Sequence, residues 1–141
     1  MFYQPVIEIA TGRIVGYEGL LRWQHRSRGL ISPGDFIQLA EDTGLILRIG
    51  DWVLGAVCRW GALHPLAKES AVSVNLSARQ FADPKLIDIV KRALEDSGLP
   101  AARLEIEVSE ATAMQHSEPA MRTLGLFRHG LPFSLSIAHA R

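Results

Sequence analysis

Tyr3-Gln4-Pro5-Val6-Ile7 and Tyr17-Glu18-Gly19-Leu20-Leu21-Arg22-Trp23 set polar groups into two runs that otherwise read as strands. Val6, Ile7 and Ile9 precede a Thr11-Gly12-Arg13 turn, and Ile14, Val15, Tyr17, Leu20 and Leu21 follow it. This pattern predicts strands over 3–9 and 14–23, joined at Gly12. Side chains alternate along a strand with period two, so Glu18 and Arg22 share a face. With Gln4 they are placed to line one end of a sheet and meet a ligand there.

Outward from this pair the pattern alternates. Residues 24–34 carry His25, Arg26, Arg28, Gly29, Pro33 and Gly34 and read as a loop. A helix is expected after Ser32-Pro33, with Phe36, Ile37, Leu39 and Ala40 on its apolar face, ending near Gly44. Asp51 reads as the N-cap of a second helix over 51–63. Ala71–Leu76 reads as a strand, Pro84–Ser97 as a helix closed by Gly98, and Leu104–Val108 as a strand. A helix over 117–129 and a strand over Phe133–Ile137 complete the chain. Strands alternating with helices predict a parallel α/β sheet in one domain, without a repeat or linker.

The bulk numbers agree. The chain has 141 residues, enough for one domain with a core, and 48% of them are hydrophobic. Fifteen Lys and Arg balance fifteen Asp and Glu, so no whole-molecule field draws in a nucleic acid polymer or an anionic membrane. One cysteine, Cys58, excludes an internal disulfide and fits a reducing compartment. No apolar run reaches the ~20 residues that cross a bilayer, and the N-terminus does not read as a signal peptide. A cytoplasmic location is the expectation.

Polar groups collect at the strand ends: Glu18, Asn75, Glu107 and Glu110. In parallel α/β folds, sites form at the carboxyl ends of the strands. Two carboxylates and an amide oxygen suit Mg²⁺ or Mn²⁺ rather than zinc. Such an ion polarises a phosphodiester and activates water, and Arg22 offers a planar donor pair to a phosphate oxygen. Taken singly, each residue has a plainer reading. Glu105 and Glu107 also fit a solvated strand face, Asn75 and Ser77 a helix cap, and Arg22-Trp23 a surface cation–π pair. His25, His64, His116 and His129 show no metal-ligand spacing, His139 reads as a surface residue, and Cys58 reads as core.

Longer motifs carry a resemblance. Glu18-Gly19-Leu20, Gly29-Leu30-Ile31-Ser32-Pro33, Gly44-Leu45-Ile46 with Ile49-Gly50-Asp51-Trp52-Val53-Leu54, Val74-Asn75-Leu76-Ser77-Ala78-Arg79-Gln80-Phe81 and Leu104-Glu105-Ile106-Glu107-Val108-Ser109-Glu110 follow one another in order. Together they resemble the EAL domain family of cyclic di-GMP phosphodiesterases, whose signature Glu-Ala-Leu stands here as Glu18-Gly19-Leu20. The resemblance implies a TIM-like α/β barrel, a metal-dependent hydrolase and cyclic di-GMP as ligand. It places Glu18 and Glu107 in catalysis, Glu18, Asn75 and Glu107 on the metal, Gln4, Leu20 and Arg22 on the substrate, and Glu110 in a supporting position at the rim.

The motifs of this family continue with paired aspartates after the fifth barrel strand, and that place holds Ala138-His139 here. The chain is therefore expected to be a partial EAL domain, residues 1–141, forming an incomplete barrel. It is expected to be catalytically inactive as it stands, with cyclic di-GMP binding weak or lost and the metal held weakly or not at all. The alternative is a non-catalytic EAL-like module that binds a protein partner or the dinucleotide. An incomplete barrel leaves strands with apolar faces and open edges, at Val6, Ile7 and Ile9 and at Phe133, Leu135 and Ile137, so a homodimer is expected to shield them.

Overall fold

The protein is described from a computed structural model covering residues 1–114, 118–128 and 133–138. Strands β1 (Phe2–Ile7) and β2 (Ile14–Leu20) form an antiparallel hairpin. Its turn closes on the Glu8 carbonyl, which accepts from Gly12 N at 2.8 Å, with Gly12 at φ +70°. The expected 24–34 loop contains a second small hairpin, β3 (Trp23–His25) and β4 (Gly29–Ile31). His25 Nδ1 accepts from the amides of Ser27 and Arg28, each at 3.3 Å, and so folds the turn.

Helix α1 (Pro33–Asp42) starts after extended Ser32 with Pro33 in its first turn. Helix α2 spans Leu45–Leu63, so Asp51 is not its N-cap but an exposed interior residue. Ile46, Gly50, Val53, Leu54 and Val57 form one continuous buried stripe, and that stripe carries the helix back to Gly44 at φ +77°. After α2 come β5 (Ala71–Leu76), the short α3 (Ala78–Phe81), α4 (Leu86–Ser97), β6 (Leu104–Ser109), the short α5 (Glu110–Ala113), α6 (Glu118–Arg128) and β7 (Ser134–Ala138). The helix expected over 117–129 is α6; Ser117 and His129 lie outside the described residues, as do His116 and His139.

The main sheet has the order β1-β2-β5-β6-β7, parallel from β2 onward. One face is apolar. Val72, Val74, Leu76, Leu104, Ile106 and Val108 pack with Val53, Leu54, Val57 and Cys58 of α2 and with Val90 and Leu94 of α4 in one core. Gly61 allows the close approach of α2 to β5, because a Cβ there would lie 2.9 Å from Val72 Cγ1. Arg103 ties the ends together by donating to the carbonyls of Ser70 at 3.0 Å, Gly61 at 2.9 Å, and Ala67. Trp60 is stacked between Tyr3 at 3.9 Å and His64 at 4.7 Å, which fastens β1 to α2.

By alternation the other face carries Glu18, Ser73, Asn75, Glu105, Glu107, Ser134 and Ser136. It is polar, where the open face of a barrel sheet was expected to be apolar. At the last strand Phe133 is only 4% exposed and packs in the core, contrary to its expected exposure, while Ile137 is exposed. Val6, Ile7 and Ile9 are exposed at the opposite edge.

Candidate functional site

The carboxyl ends of β2, β5 and β6 bring the sequence candidates together. Parallel register pairs Glu18 with Ser73, and Asn75 with Glu107. Glu107 in turn pairs with Ser136 of β7. Glu18 therefore sits one side-chain repeat, ~6.6 Å, below Asn75 and Glu107 on the same face. Its long side chain bridges that step: Asn75 Nδ2 donates to Glu18 Oε1 at 2.7 Å. On the other side Gln4 lies directly opposite Glu18 across the β1–β2 ladder. Glu18 and Glu107 are half-buried, and Asn75 and Gln4 are exposed.

Asn75 does not cap the following helix. Ser77 does, accepting from Gln80 N at 3.4 Å, while Gln80 Oε1 accepts from Ser77 N at 3.0 Å in a reciprocal capping box. Arg22 lies beyond the end of β2, and its Nη1 donates to the Leu21 carbonyl at 2.8 Å. Trp23 packs edge-on against Phe36 and His25, at 5.7 and 5.2 Å, in place of the cation–π pair with Arg22. Glu110 is exposed at the start of α5 and does not line the cavity at the ends of β2 and β5.

An open cavity of about 350 Å³ lies between the ends of β2 and β5 and helices α1 and α2; Asn75 lines it, and Glu18 and Glu107 do not. Leu20, Ile37, Ile49 and Val53 give it apolar walls, and Arg22, Asn75, Ser77 and Gln80 supply its polar groups. Sequence reasoning missed Gln80, although Ser77-Ala78-Arg79-Gln80 has the spacing of a capping box. It also missed Ser73, whose buried Oγ, in the row between Glu18 and Glu105, has no hydrogen-bond partner among the described residues.

The donor set fits one hard divalent cation. The Asn75 amide gives its N–H to Glu18 and keeps its oxygen, and the two carboxylates share its face of the sheet. Among the described residues no group of three His, Cys, Asp or Glu side chains converges on one point. The groups pushed off their ordinary pKa lie elsewhere. Burial raises Tyr3, with Arg59 opposing, and raises Cys58 to about 11. Among the described residues no helix is long and apolar enough to cross a membrane.

The EAL domain family model matches residues 1–138. The chain is 43% identical over 125 residues to MucR of Pseudomonas aeruginosa, a bifunctional diguanylate cyclase/cyclic di-GMP phosphodiesterase, covering 86% of this chain and 18% of MucR. It is 40% identical over 139 residues to NbdA of the same organism, a cyclic di-GMP phosphodiesterase, covering 97% of this chain and 18% of NbdA. The solved MucR phosphodiesterase in complex with c-di-GMP superposes with a TM-score of 0.87 at 41% identity, over 96% of this chain and 55% of that one. The FimX EAL domain from Pseudomonas aeruginosa bound to c-di-GMP gives 0.82 at 27% identity, over 96% of this chain and 54% of that one. The chain thus spans about a fifth of these curated relatives and about half of the solved domains, and its α/β architecture matches part of their TIM-like barrel. This chain belongs to the EAL domain family of cyclic di-GMP signalling.

Proposed function

We propose that this chain is the ligand-gripping part of an EAL domain, which binds cyclic di-GMP around one Mg²⁺ or Mn²⁺ and by itself hydrolyses it negligibly. Glu18, Asn75 and Glu107 hold the ion. Arg22 and Gln4 engage phosphate, Leu20 packs against the ligand, and Glu110 supports the rim. The observation that carries this reading is the Asn75–Glu18 contact at 2.7 Å beside the cavity walled by Leu20 and Arg22. When bound, the ion polarises the phosphodiester and acidifies a water. Glu18 and Glu107 are the catalytic carboxylates of the reading, oriented by Asn75 and the strand register. Weak turnover follows from a carboxylate set for one ion, and from Ala138 where the family motif carries an aspartate.

The test is calorimetry of cyclic di-GMP binding with Mn²⁺ present, alongside chromatography for the linear dinucleotide. Binding lost in Glu18→Ala, with no product formed, is the expected pair of results. Steady product formation abolished by Glu18→Ala would overturn the non-catalytic part, and absence of binding would overturn the whole.

A second copy of the chain is the proposed protein partner. The exposed Val6, Ile7, Ile14 and Val15 at the β1–β2 end favour it. The site, not this contact, is the primary reading.

A further inference from the structure

A second cavity of about 350 Å³ opens between β3, α1 and α2. Phe36 and Leu39 of α1, Leu45, Ile49 and Trp52 of α2, and Trp23 of β3 wall it. The spacing 45, 49, 52 gives one stripe of α2 to this groove, on a different side from its buried stripe. Trp23 is 45% exposed, Trp52 53% and Leu39 62%, so large apolar side chains stand half in solvent around one concave space. Arg22 is the only charged residue on the walls. It is half-buried, and among the described residues its hydrogen bond goes to the Leu21 carbonyl at 2.8 Å, which leaves its other N–H groups unspent. Arg22 and Ile49 also line the strand-end cavity, so this guanidinium stands at the boundary of the two spaces.

These walls define the chemistry of an occupant. One cation among apolar side chains calls for one anionic group on an apolar body. An extended peptide would bury backbone N–H and C=O groups where no polar side chain but Arg22 could pair with them. A helix with its side chains is about 10 Å across, too wide for this space. An acyl chain has no polar group along its length to satisfy. At about 30 Å³ per water-sized group, the cavity takes roughly ten to twelve non-hydrogen atoms, the size of a ten-carbon acid. We propose that this groove binds a medium-chain fatty carboxylate, its chain against Trp23, Leu39 and Trp52 and its carboxylate on Arg22, and that it thereby competes with a ligand of the strand-end site for the same guanidinium. The competition rests on the cyclic di-GMP reading above; the binding site itself does not.

The experiment is calorimetry of the full chain with hexanoate, octanoate, decanoate, dodecanoate and decanol, each below its micelle concentration. Affinity is expected to rise about two- to fourfold per methylene up to decanoate, and to level at dodecanoate, where the chain outgrows the cavity. Decanol is expected to bind at least about tenfold more weakly than decanoate. Arg22→Gln should erase that difference. Leu39→Glu, at an exposed helix position, should abolish decanoate binding with the thermal transition retained. A wild type that takes decanol as well as decanoate overturns the proposal, as does an affinity still climbing at dodecanoate, the mark of non-specific adsorption. Absence of binding overturns it too; a wild-type dimer lost in Leu39→Glu would then make the groove a contact between copies of the chain. If Leu39→Glu does not fold, the wild-type series and Arg22→Gln decide. Saturating decanoate is expected to weaken cyclic di-GMP binding at least about fivefold, since a charge-assisted contact is lost. An unchanged affinity overturns the competition. If the wild type binds decanoate but no cyclic di-GMP, the strand-end reading and the competition fail, and the fatty carboxylate site stands.

Discussion

Asn75 Nδ2 donates to Glu18 Oε1 at 2.7 Å and joins the end of β5 to β2 across the strand register. The contact is largely exposed, so its removal costs little stability, at most about 1 kcal/mol. On the proposed reading it holds the Glu18 carboxylate toward Glu107 for the metal. Asn75→Ala is therefore expected to weaken Mn²⁺ binding about tenfold or more while leaving the thermal midpoint nearly unchanged. Calorimetric titration of Mn²⁺ reads the first, and differential scanning calorimetry reads the second. A large loss of stability with intact metal affinity would make Asn75 a structural residue.

Gly19 replaces the alanine of the family signature, and Val57 explains why. A Cβ at residue 19 would lie 2.6 Å from Val57 Cγ2 and 3.3 Å from the Ser73 carbonyl oxygen. Gly19→Ala gains a few tenths to about 1 kcal/mol by restricting the unfolded chain, but the overpacking costs about 1–3 kcal/mol. A net loss of about 1 kcal/mol is expected in urea denaturation. The cost of Val57→Ala should be smaller in the Gly19→Ala background by about 1 kcal/mol, the mark of a direct contact. Additive single and double variants would place the strain elsewhere.

Arg103 donates to three backbone carbonyls, of Gly61, Ala67 and Ser70, on the segment that leads from α2 into β5. Arg103→Ala removes these three bonds in a half-buried place, with the Ala67 carbonyl keeping the Ser70 amide as a donor at 3.0 Å, at an expected cost of about 2–3 kcal/mol. Arg103→Lys should recover less than half of it, since an ammonium cannot reproduce the fork of a guanidinium. Denaturant midpoints of the two variants check this. Full recovery by lysine would mean that the charge, not the geometry, does the holding.

Much of this architecture is legible in the residues. The Thr11-Gly12 turn between two β-rich runs specifies the first hairpin, and Gly98 marks the end of α4. Two of the departures have local physical reasons. A single good N-cap residue, Asp51, was weighed above the longer apolar stripe from Ile46 to Val57 that extends α2. The β3–β4 hairpin has strands of three residues each, too short to show a period of two. At the site, strand-end carboxylates are visible as types, but the Asn75–Glu18 contact depends on a register offset between parallel strands that no local pattern encodes. The spacing of Gln80 to Ser77 announces a helix start, while its packing against Gly50 of α2 is visible only in the fold.

Self-association is the fourth expectation. The free edge of β1 and the exposed Val6, Ile7, Ile14 and Val15 lie together on the first hairpin. Burial of such side chains is worth about 1.5–3 kcal/mol each, against an association cost of about 4–15 kcal/mol. Light scattering at micromolar concentration should give twice the chain mass, and Val6→Lys with Ile14→Lys should return the monomer. A wild-type protein that stays monomeric at that concentration would remove the second copy as a partner.

Cys58 makes stability depend on pH at the alkaline end. The side chain is fully buried in the core beside Val57, and burial pushes its thiol up to about 11, with Arg59 opposing. In the unfolded chain the thiol ionises near its ordinary value of about 8.5. The folded state thus binds the proton more tightly, and its contribution is complete below that value. As pH rises from about 8.5 toward 11 the unfolded state alone releases the proton, and stability falls by up to about 3 kcal/mol. Urea midpoints should therefore decline through this window. In Cys58→Ala the decline should flatten up to about pH 10, above which Tyr3, also raised by burial, adds its own loss. The same burial shields the sulfur from reagents, so an aromatic disulfide probe at pH 8 should label Cys58 only as fast as the protein opens. Rapid labelling of the folded protein, or an unchanged alkaline slope in Cys58→Ala, would show that the thiol reaches solvent and that another group sets the pH dependence.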